Sequence, residues 1–331
     1  MSTNQVELRD ALPASSEPPP VEKCDVSNFN LLAKYRKKRD EWLSWYSFRK
    51  DDPNNIEGQI IGMIFLDLSY RVLAKPRGDM SKSAEMAARS GILAHMLDQG
   101  YVATQVLAIR RLLDRHRNVY SIRRLLNDIH LNRDLITREI FVAYDGTPYD
   151  TDGWRSLPPS IQVQAQIFGM HAPGLSEFLR ASERHEMFDK LSGVLPTSRF
   201  RQDTIRIEIF EKLKSWLNSA EAEKLVTLSH KFFAHAADVA SRNSLTYSGV
   251  SLKDIEAAQK AIIKVERAIT DDILCIGIAR EVVAMPPLGF LKGLDVAYVP
   301  KEAIAEMDAH WDELKKDRNK WKDTYDAELY A

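Results

Sequence analysis

The stretch that decides the fold is residues 121–129, which read SIRRLLNDI. Ser121 belongs to the residue types preferred at the N-cap of a helix. The apolar side chains that follow it recur at i, i+3, i+4 and i+7, the spacing of one helical face; they are Ile122, Leu125, Leu126 and Ile129. Similar spacing returns along most of the chain, without a convincing alternating strand or an internal repeat. The sequence therefore predicts an all-α fold, a multi-helix bundle.

The same patterns predict the order of helices and the limits of the domain. Helices are expected over residues 29–51, 55–74, 83–116, 201–217, 219–243 and 251–284, with one beginning at Ser121 and a last one at Pro300. Pro76 is expected to close the second of them. We predict a disordered, acidic, proline-rich tail over residues 1–28, a helical domain over 29–295 with a loop-rich insertion at about 141–200, and a C-terminal amphipathic helix over 296–331.

Composition excludes several classes of protein. The 331 residues carry 46 basic and 47 acidic side chains, so the chain is not a globally basic protein that coats nucleic acid or anionic membrane. Its only cysteines are Cys24 and Cys275, too few for a disulfide framework or a four-cysteine zinc site. The longest apolar runs have seven residues, far below the ~20 that span a bilayer. We expect a cytoplasmic protein without membrane association.

The most informative segment for chemistry is residues 229–242, SHKFFAHAADVASR. At about 100° per residue, four polar side chains fall within one narrow stripe of a helix, opposite an apolar face; this polar column is Lys231, His235, Asp238 and Arg242. An imidazole can move a proton near neutral pH while neighbouring cations hold a phosphate. The alternative is a solvated salt bridge between Asp238 and Arg242, with His235 partly buried.

A second constellation is the basic stretch at residues 110–139, with eight Lys or Arg against four Asp or Glu. Arg111, Asp114 and Arg115 share one helical face there, and Arg110 precedes them. Such a stretch is typical of a surface that holds the phosphates of RNA or of a nucleotide. It is equally compatible with a solvated, salt-bridged helix face.

Metal and cofactor motifs are not found. His230 and His235 are five residues apart without the glutamate of a zinc-protease helix, and no phosphate-binding glycine loop or dinucleotide fingerprint occurs. Asp145, Asp150 and Asp152 lack calcium-loop spacing. We therefore predict no metal and no cofactor. The aromatic C-terminal helix, with Trp311 and Trp321, either packs on its own chain or docks on a partner.

Three stretches together resemble the HEPN superfamily, and within it the AbiU-type branch associated with phage abortive infection. They are residues 108–115 (AIRRLLDR) running into 121–129, residues 144–150 (YDGTPYD) and residues 231–236 (KFFAHA). The resemblance covers about residues 55–285, so the chain adds helices at both ends. It implies a helical bundle that forms a homodimer. It also implies metal-independent RNA cleavage, in which a ribose 2′-hydroxyl attacks the adjacent phosphate.

The resemblance carries roles to individual residues. HEPN ribonucleases have an Arg-x4–6-His motif, and His235 matches its histidine, which implies an acid/base role. The polar column adds Asp238 as the orienting group, with Lys231 and Arg242 as catalytic cations. Positions 228–230, where the motif arginine would fall, hold Leu, Ser and His instead. Other groups would then hold the phosphate, with Asp114 fixing the arginines around it; they are Lys231, Arg242, Arg110, Arg111, Arg115 and His230.

Two functions follow from these features. The first is an RNA-binding HEPN-like protein and candidate endoribonuclease, acting in phage defence or as a toxin-like module that an antitoxin or another partner protein would accompany. The alternative is a non-catalytic helical module that holds a nucleotide, an RNA or a partner protein.

Overall fold

The computed structural model describes residues 18–47, 54–79, 91–150, 175–234 and 250–276, together with 309–310, 312–313 and 316. The α-helices in these ranges are α1 (Phe29–Tyr46), α2 (Ile56–Asp79), α3 (Ile92–Leu112), α4 (Ile122–Leu131), α5 (Arg138–Ala143), α6 (Leu175–Ser192), α7 (Ile207–Leu217), α8 (Ala220–Leu228) and α9 (Leu252–Arg267). Two π-helical turns, Ser229–Ala234 and Ala268–Ile273, directly continue α8 and α9.

These helices pack around an apolar core, and the predicted all-α fold is confirmed. Helices α2 and α8 lie against α3, while α9 packs on α3, α7 and α8. Among the described residues the only β-type pairing is an isolated bridge between Thr137 and Thr204. The packing brings the C-terminal end of α3 and the helix α8 side by side.

Helix α4 follows the pattern from which the fold was predicted. The Ser121 hydroxyl accepts a hydrogen bond from the backbone N–H of Arg124 at 3.0 Å, which is the expected N-cap. The four apolar side chains at helical spacing are all fully buried; they are Ile122, Leu125, Leu126 and Ile129. Helices α1, α7 and α9 pack against α4.

Two helix boundaries differ from the prediction. Helix α2 continues to Asp79, past Pro76, because a proline removes a single backbone hydrogen bond and a helix can absorb this with a bend. In the region predicted as a loop-rich insertion, α6 is an 18-residue helix. Its Ala181 and Phe188 are fully buried. The polar composition of the region concealed this buried face.

The helices predicted over residues 219–243 and 251–284 are also modified. Helix α8 changes into a π-helical turn at Ser229, and α9 does so at Ala268. The helix expected to reach residue 284 ends at Ile273, and Cys275 follows with a positive φ of 47°. A π-helical turn bonds i to i+5 and therefore winds more slowly than an α-helix. The spacing of apolar residues in the sequence does not reveal where a helix changes from α to π geometry.

Part of the predicted tail belongs to the folded body. Residues 18–28, here called the N-terminal strap, include a short 3-10 helix and the buried side chains of Cys24 and Val26. The backbone N–H and hydroxyl of Ser27 donate hydrogen bonds to the carboxylate of Glu139, which is 2% exposed. These hydrogen bonds and buried side chains offset the conformational entropy that residues 18–28 lose when they become ordered. Residues 1–17 lie outside the described residues.

The turn-rich loop at residues 144–150 is held against α6 by an ion pair. Arg184, 8% exposed, donates to both carboxylate oxygens of Asp145 at 2.9 and 2.8 Å. The Thr147 hydroxyl donates to the same carboxylate at 2.7 Å. Gly146 has a φ of 91°, and a Cβ built there would lie 2.6 Å from the ring of Pro19. Glycine is required because the strap crosses the loop at this point.

This ion pair predicts an acid-sensitive component of stability. Burial would raise the pKa of Asp145, but hydrogen bonds from Arg184 and Thr147 hold it well below its usual range. The stabilisation is complete above the unfolded pKa near 4 and is lost as the pH falls toward the folded value. Between pH 5 and pH 2, we expect the free energy of unfolding of the wild-type protein to fall by on the order of 2 kcal/mol more than that of Asp145→Asn. Urea denaturation at each pH measures this difference. The exposed Asp40→Asn is the control, and an unchanged pH slope in Asp145→Asn would contradict the assignment.

The chain divides into two compact units, Met1–Val283 and Ala284–Ala331. In the second unit, residues 309–310, 312–313 and 316 are helical. His310 and Glu313 approach to 3.5 Å there. The C-terminal helix over residues 296–331, with its two tryptophans, otherwise falls outside the described residues and stays a prediction. No helix among the described residues is long and apolar enough to cross a membrane.

Candidate functional site

A cleft of about 640 Å³ lies between the C-terminal end of α3 and α8, and the start of α4 and the end of α7 close it. Eight polar residues line it, namely Arg110, Asp114, Arg115, His116, Arg123, Glu223, Thr227 and His230. The apolar lining consists of Leu113, Val119, Leu217, Ala222 and Val226. A concave site of this size that combines polar and apolar side chains can hold a small ligand or part of a larger one.

The first wall is formed by the last turn of α3 and the turn that follows it. Arg110 lies in that last turn, where the helix dipole favours a cation. Asp114 holds the turn, because its carboxylate accepts from the backbone N–H of His116 at 2.8 Å and its carbonyl accepts from the Ser121 hydroxyl at 2.7 Å. Arg115 follows directly and is exposed. The turn therefore presents Arg115 from a fixed backbone.

The closed end of the cleft is built around Arg123, which is 8% exposed. Its guanidinium donates to the carbonyl of Leu217 at 2.7 Å and to the side-chain oxygen of Asn218 at 2.5 Å, so it caps the C-terminal end of α7. Burial lowers the pKa of Arg123 and the nearby charge of Arg115 lowers it further, whereas Glu223 acts in the opposite direction. A buried positive charge thus underlies the cleft.

The second wall is α8 and its π-helical continuation. Ser219 caps α8, and Lys224 binds Asp254 of α9 at 2.9 Å, which holds the helix in place. Glu223, Thr227 and His230 follow one another at i, i+4 and i+7 and face the cleft. His230 is exposed on the π-helical turn that starts at Ser229. Single π-helical turns occur frequently at functional sites.

Positive charge predominates in the cleft. Three arginines face two carboxylates, and two imidazoles add hydrogen-bonding groups. Within the described part of the chain, neither Arg110 nor Arg115 has a carboxylate within 4.0 Å. Unpaired guanidinium groups beside an apolar wall favour the binding of a phosphate that carries an organic group.

The structure brings together three of the six residues predicted to hold a phosphate. Arg110, Arg115 and His230 line one cleft with Asp114. Arg111 does not join them, since its guanidinium donates to the side-chain oxygen of Asn54 at 2.6 Å. The one hydrogen bond that the Asp114 carboxylate makes among described residues goes to the backbone of the turn, so its support of the arginines stays a prediction.

The polar column is described only at its start. Lys231 is half-buried on the π-helical turn and is not part of the cleft lining. His235, Asp238 and Arg242 lie outside the described residues. The positions of the column side chains were calculated for an α-helix. Lys231 lies on the π-helical turn at 229–234, where the angle per residue about the helix axis is smaller than in that calculation.

Two further motifs from the sequence have structural explanations. Arg138, counted in the basic stretch, is fully buried and binds Asp189 and Asp203, so it is not available to a phosphate. Asp145 is bound by Arg184 and Asp150 by Arg201. Within the described residues no cluster of three or more His, Cys, Asp or Glu side chains has metal-binding geometry.

Sequence reasoning did not single out four of the eight polar residues that line the cleft, namely His116, Arg123, Glu223 and Thr227. Arg123 was noted only as one of many basic residues, because its burial depends on how α7 packs. Glu223 was not singled out, although its spacing of seven residues from His230 places both on one helical face. That periodicity is the signal that could have revealed it.

Residues 56–273 match the family HEPN_AbiU2, described as AbiU2. The chain belongs to the AbiU2 family of HEPN proteins. The match extends from the start of α2 to the end of the second π-helical turn and includes every residue of the cleft. The resemblance to the HEPN superfamily inferred from the sequence is thereby confirmed. Comparisons with curated proteins and with solved structures find no match.

Proposed function

We propose that this AbiU2-family protein is a cytoplasmic homodimer that binds RNA in the cleft between α3 and α8 and cleaves it without a metal, as part of phage defence or as a toxin-like module. An antitoxin or another protein would restrain it. The observation that carries the proposal is the convergence of Arg110, Arg115 and His230 on one cleft that the family match covers.

In this proposal the two steps use different residues. The arginines of the cleft hold RNA phosphates, and His230 adds a neutral or charged donor. His235 acts as the acid/base on the ribose hydroxyl, with Asp238 orienting it and Lys231 and Arg242 steadying the phosphorane charge. Lys231 lies one residue after His230 along the π-helical turn, so the chain links the binding residues directly to the polar column.

The binding step is tested by a titration with single-stranded RNA at two salt concentrations. We expect Arg110→Gln/Arg115→Gln to weaken binding by roughly tenfold or more and to reduce the slope of log K against log salt by about 1.4, since each neutralised phosphate of a single strand contributes about 0.7. Lys212→Gln/Lys253→Gln is the matched control, because it removes two exposed cations that do not line the cleft. Equal weakening by both double variants would contradict binding in the cleft.

The alternative function is a non-catalytic module that holds a nucleotide, an RNA or a partner protein. It is favoured by the sequence at positions 228–230, where no arginine precedes His235 at the motif spacing. RNA binding with the salt dependence described above, but without cleavage in any buffer, would favour this function.

A further inference from the structure

The two walls of the cleft carry different charged groups. Arg110 and Arg115 come from α3 and the turn after it, whereas the exposed carboxylate of Glu223 comes from α8 on the other wall. Among the described residues, none of these three side chains has an ion-pair partner within 4.0 Å. One wall of the cleft can therefore bind an anion and the other a hydrogen-bond donor.

The buried charge of Arg123 favours an anion in the cleft. Its three nitrogens find only two acceptors, both uncharged, and its Nε–H has none within the described residues. A buried cation without a neutralising carboxylate is costly, and a second cation at Arg115 adds to the cost. A phosphate near Arg110 and Arg115 would relieve this repulsion, and the low dielectric at the closed end would strengthen the attraction.

The carboxylate of Glu223 can distinguish RNA bases by the hydrogen-bond donors that they offer. An ionised carboxylate only accepts hydrogen bonds, through two oxygens that lie side by side. Guanine is the one RNA base that offers two adjacent N–H donors on its Watson–Crick edge. Adenine and cytosine set an amino donor beside a ring acceptor, and uracil has one N–H between two carbonyls. The acceptors of these other bases would face a negative charge.

We propose that the cleft binds one guanine nucleotide, with its phosphate at Arg110 and Arg115 and its N1–H and N2–H groups at Glu223. The volume of about 640 Å³ lies within the range of about 300–1,000 Å³ of small-molecule sites. The apolar side chains of Leu113, Val119 and Val226 supply surface for the base and ribose. The inference rests on the proposed function, since it names the nucleotide that the RNA site selects.

The test measures competition by GMP, AMP, CMP and UMP against a labelled single-stranded RNA. For the wild-type protein we expect GMP to bind roughly tenfold more tightly than the other three. Glu223→Gln keeps the size of the side chain but replaces one acceptor by a donor, and we expect it to reduce this preference to about twofold or less. Glu221→Gln is the matched control, with the same change of charge on the same helix outside the cleft.

The phosphate end and the source of the nucleotide are tested separately. Arg115→Gln should weaken all four nucleotides alike, because it removes a phosphate contact and leaves the preference intact. Heptamers of uridine with one central guanine, inosine or adenine present the nucleotide within RNA. Inosine lacks the N2 amino group, so it should bind between guanine and adenine. Preference for guanine in the heptamers but not in free nucleotides would assign the site to RNA, and preference in both would include the free nucleotide.

Failure of this proposal is distinguishable from failure of RNA binding. If Arg110→Gln/Arg115→Gln lowers RNA affinity while all nucleotides and heptamers bind alike, the guanine assignment is wrong and the RNA site stands. If Glu223→Gln keeps the full preference for GMP, Glu223 is not the base-reading group. If RNA affinity is unchanged by the arginine substitutions, both proposals are wrong. Thermal unfolding of each variant ensures that the proteins compared are folded.

Discussion

Replacement of His235 by alanine is expected to slow RNA cleavage by this AbiU2-family protein by about two to four orders of magnitude. In the proposed mechanism the imidazole takes the proton of the ribose 2′-hydroxyl and returns a proton to the leaving oxygen, so no other group replaces it. Loss of a positioned acid/base lowers the rate by about 10² to 10⁴-fold. The measurement is cleavage of total RNA by purified protein in EDTA, with analysis of the products for 2′,3′-cyclic phosphate ends.

The control for this prediction is His310→Ala, which removes an exposed imidazole from the C-terminal unit. It should cleave as the wild type does. Equal cleavage by wild type and His235→Ala would show that the assignment of His235 is wrong. Binding of RNA by both proteins, with cleavage by neither, would instead favour the non-catalytic module.

Replacement of Arg138 by methionine is expected to cause the largest loss of stability. The guanidinium of Arg138 is fully buried and binds Asp189 at 2.7 Å and Asp203 at 2.8 Å, with a further bond to the Ser192 hydroxyl at 3.1 Å. Its guanidinium also lies 5.0 Å from the centre of the Phe188 ring. It thereby joins α5, α6 and the segment before α7.

Methionine would fill much of the volume but leave both carboxylates short of a partner. Removing one partner of a buried ion pair costs about 3–5 kcal/mol, and the Asp189 carboxylate would keep, among the described residues, its hydrogen bonds from Arg199. We therefore expect the free energy of unfolding to fall by about this amount in urea denaturation. Arg133→Met makes the same change five residues earlier, at a partly exposed arginine, and should cost less than about 1 kcal/mol. Similar losses in the two variants would contradict the role given to Arg138.

The fold was predictable wherever an apolar face repeats within one helix. Helix α4 has its N-cap at Ser121 and its buried face where the spacing placed them. The prediction failed where structure depends on distant contacts. The strap is ordered by Glu139 and by Arg36, which binds the carbonyl of Pro19 at 2.7 Å. No pattern within residues 18–28 reports these partners.

The site was predictable to a similar degree. Arg110, Arg115 and His230 were selected for residue type and local charge, and they line one cleft. Sequence could not distinguish them from Arg138 in the same basic stretch, because exposure depends on the packing of α5 against α6. The π-helical turn after α8 was equally hidden, since the residues of Ser229–Ala234 read as ordinary helix.

The region that matches the family is shorter than the folded body of the protein, because the strap and α1 lie before it in the chain. The family match begins at residue 56, yet the buried Trp42 of α1 donates to Asp128 at 2.6 Å, and the strap supplies the hydrogen bonds of Glu139. A recombinant fragment trimmed to residues 56–273 would expose both carboxylates and the apolar surface beneath α1. A fragment for biochemical work therefore needs to retain the strap and α1.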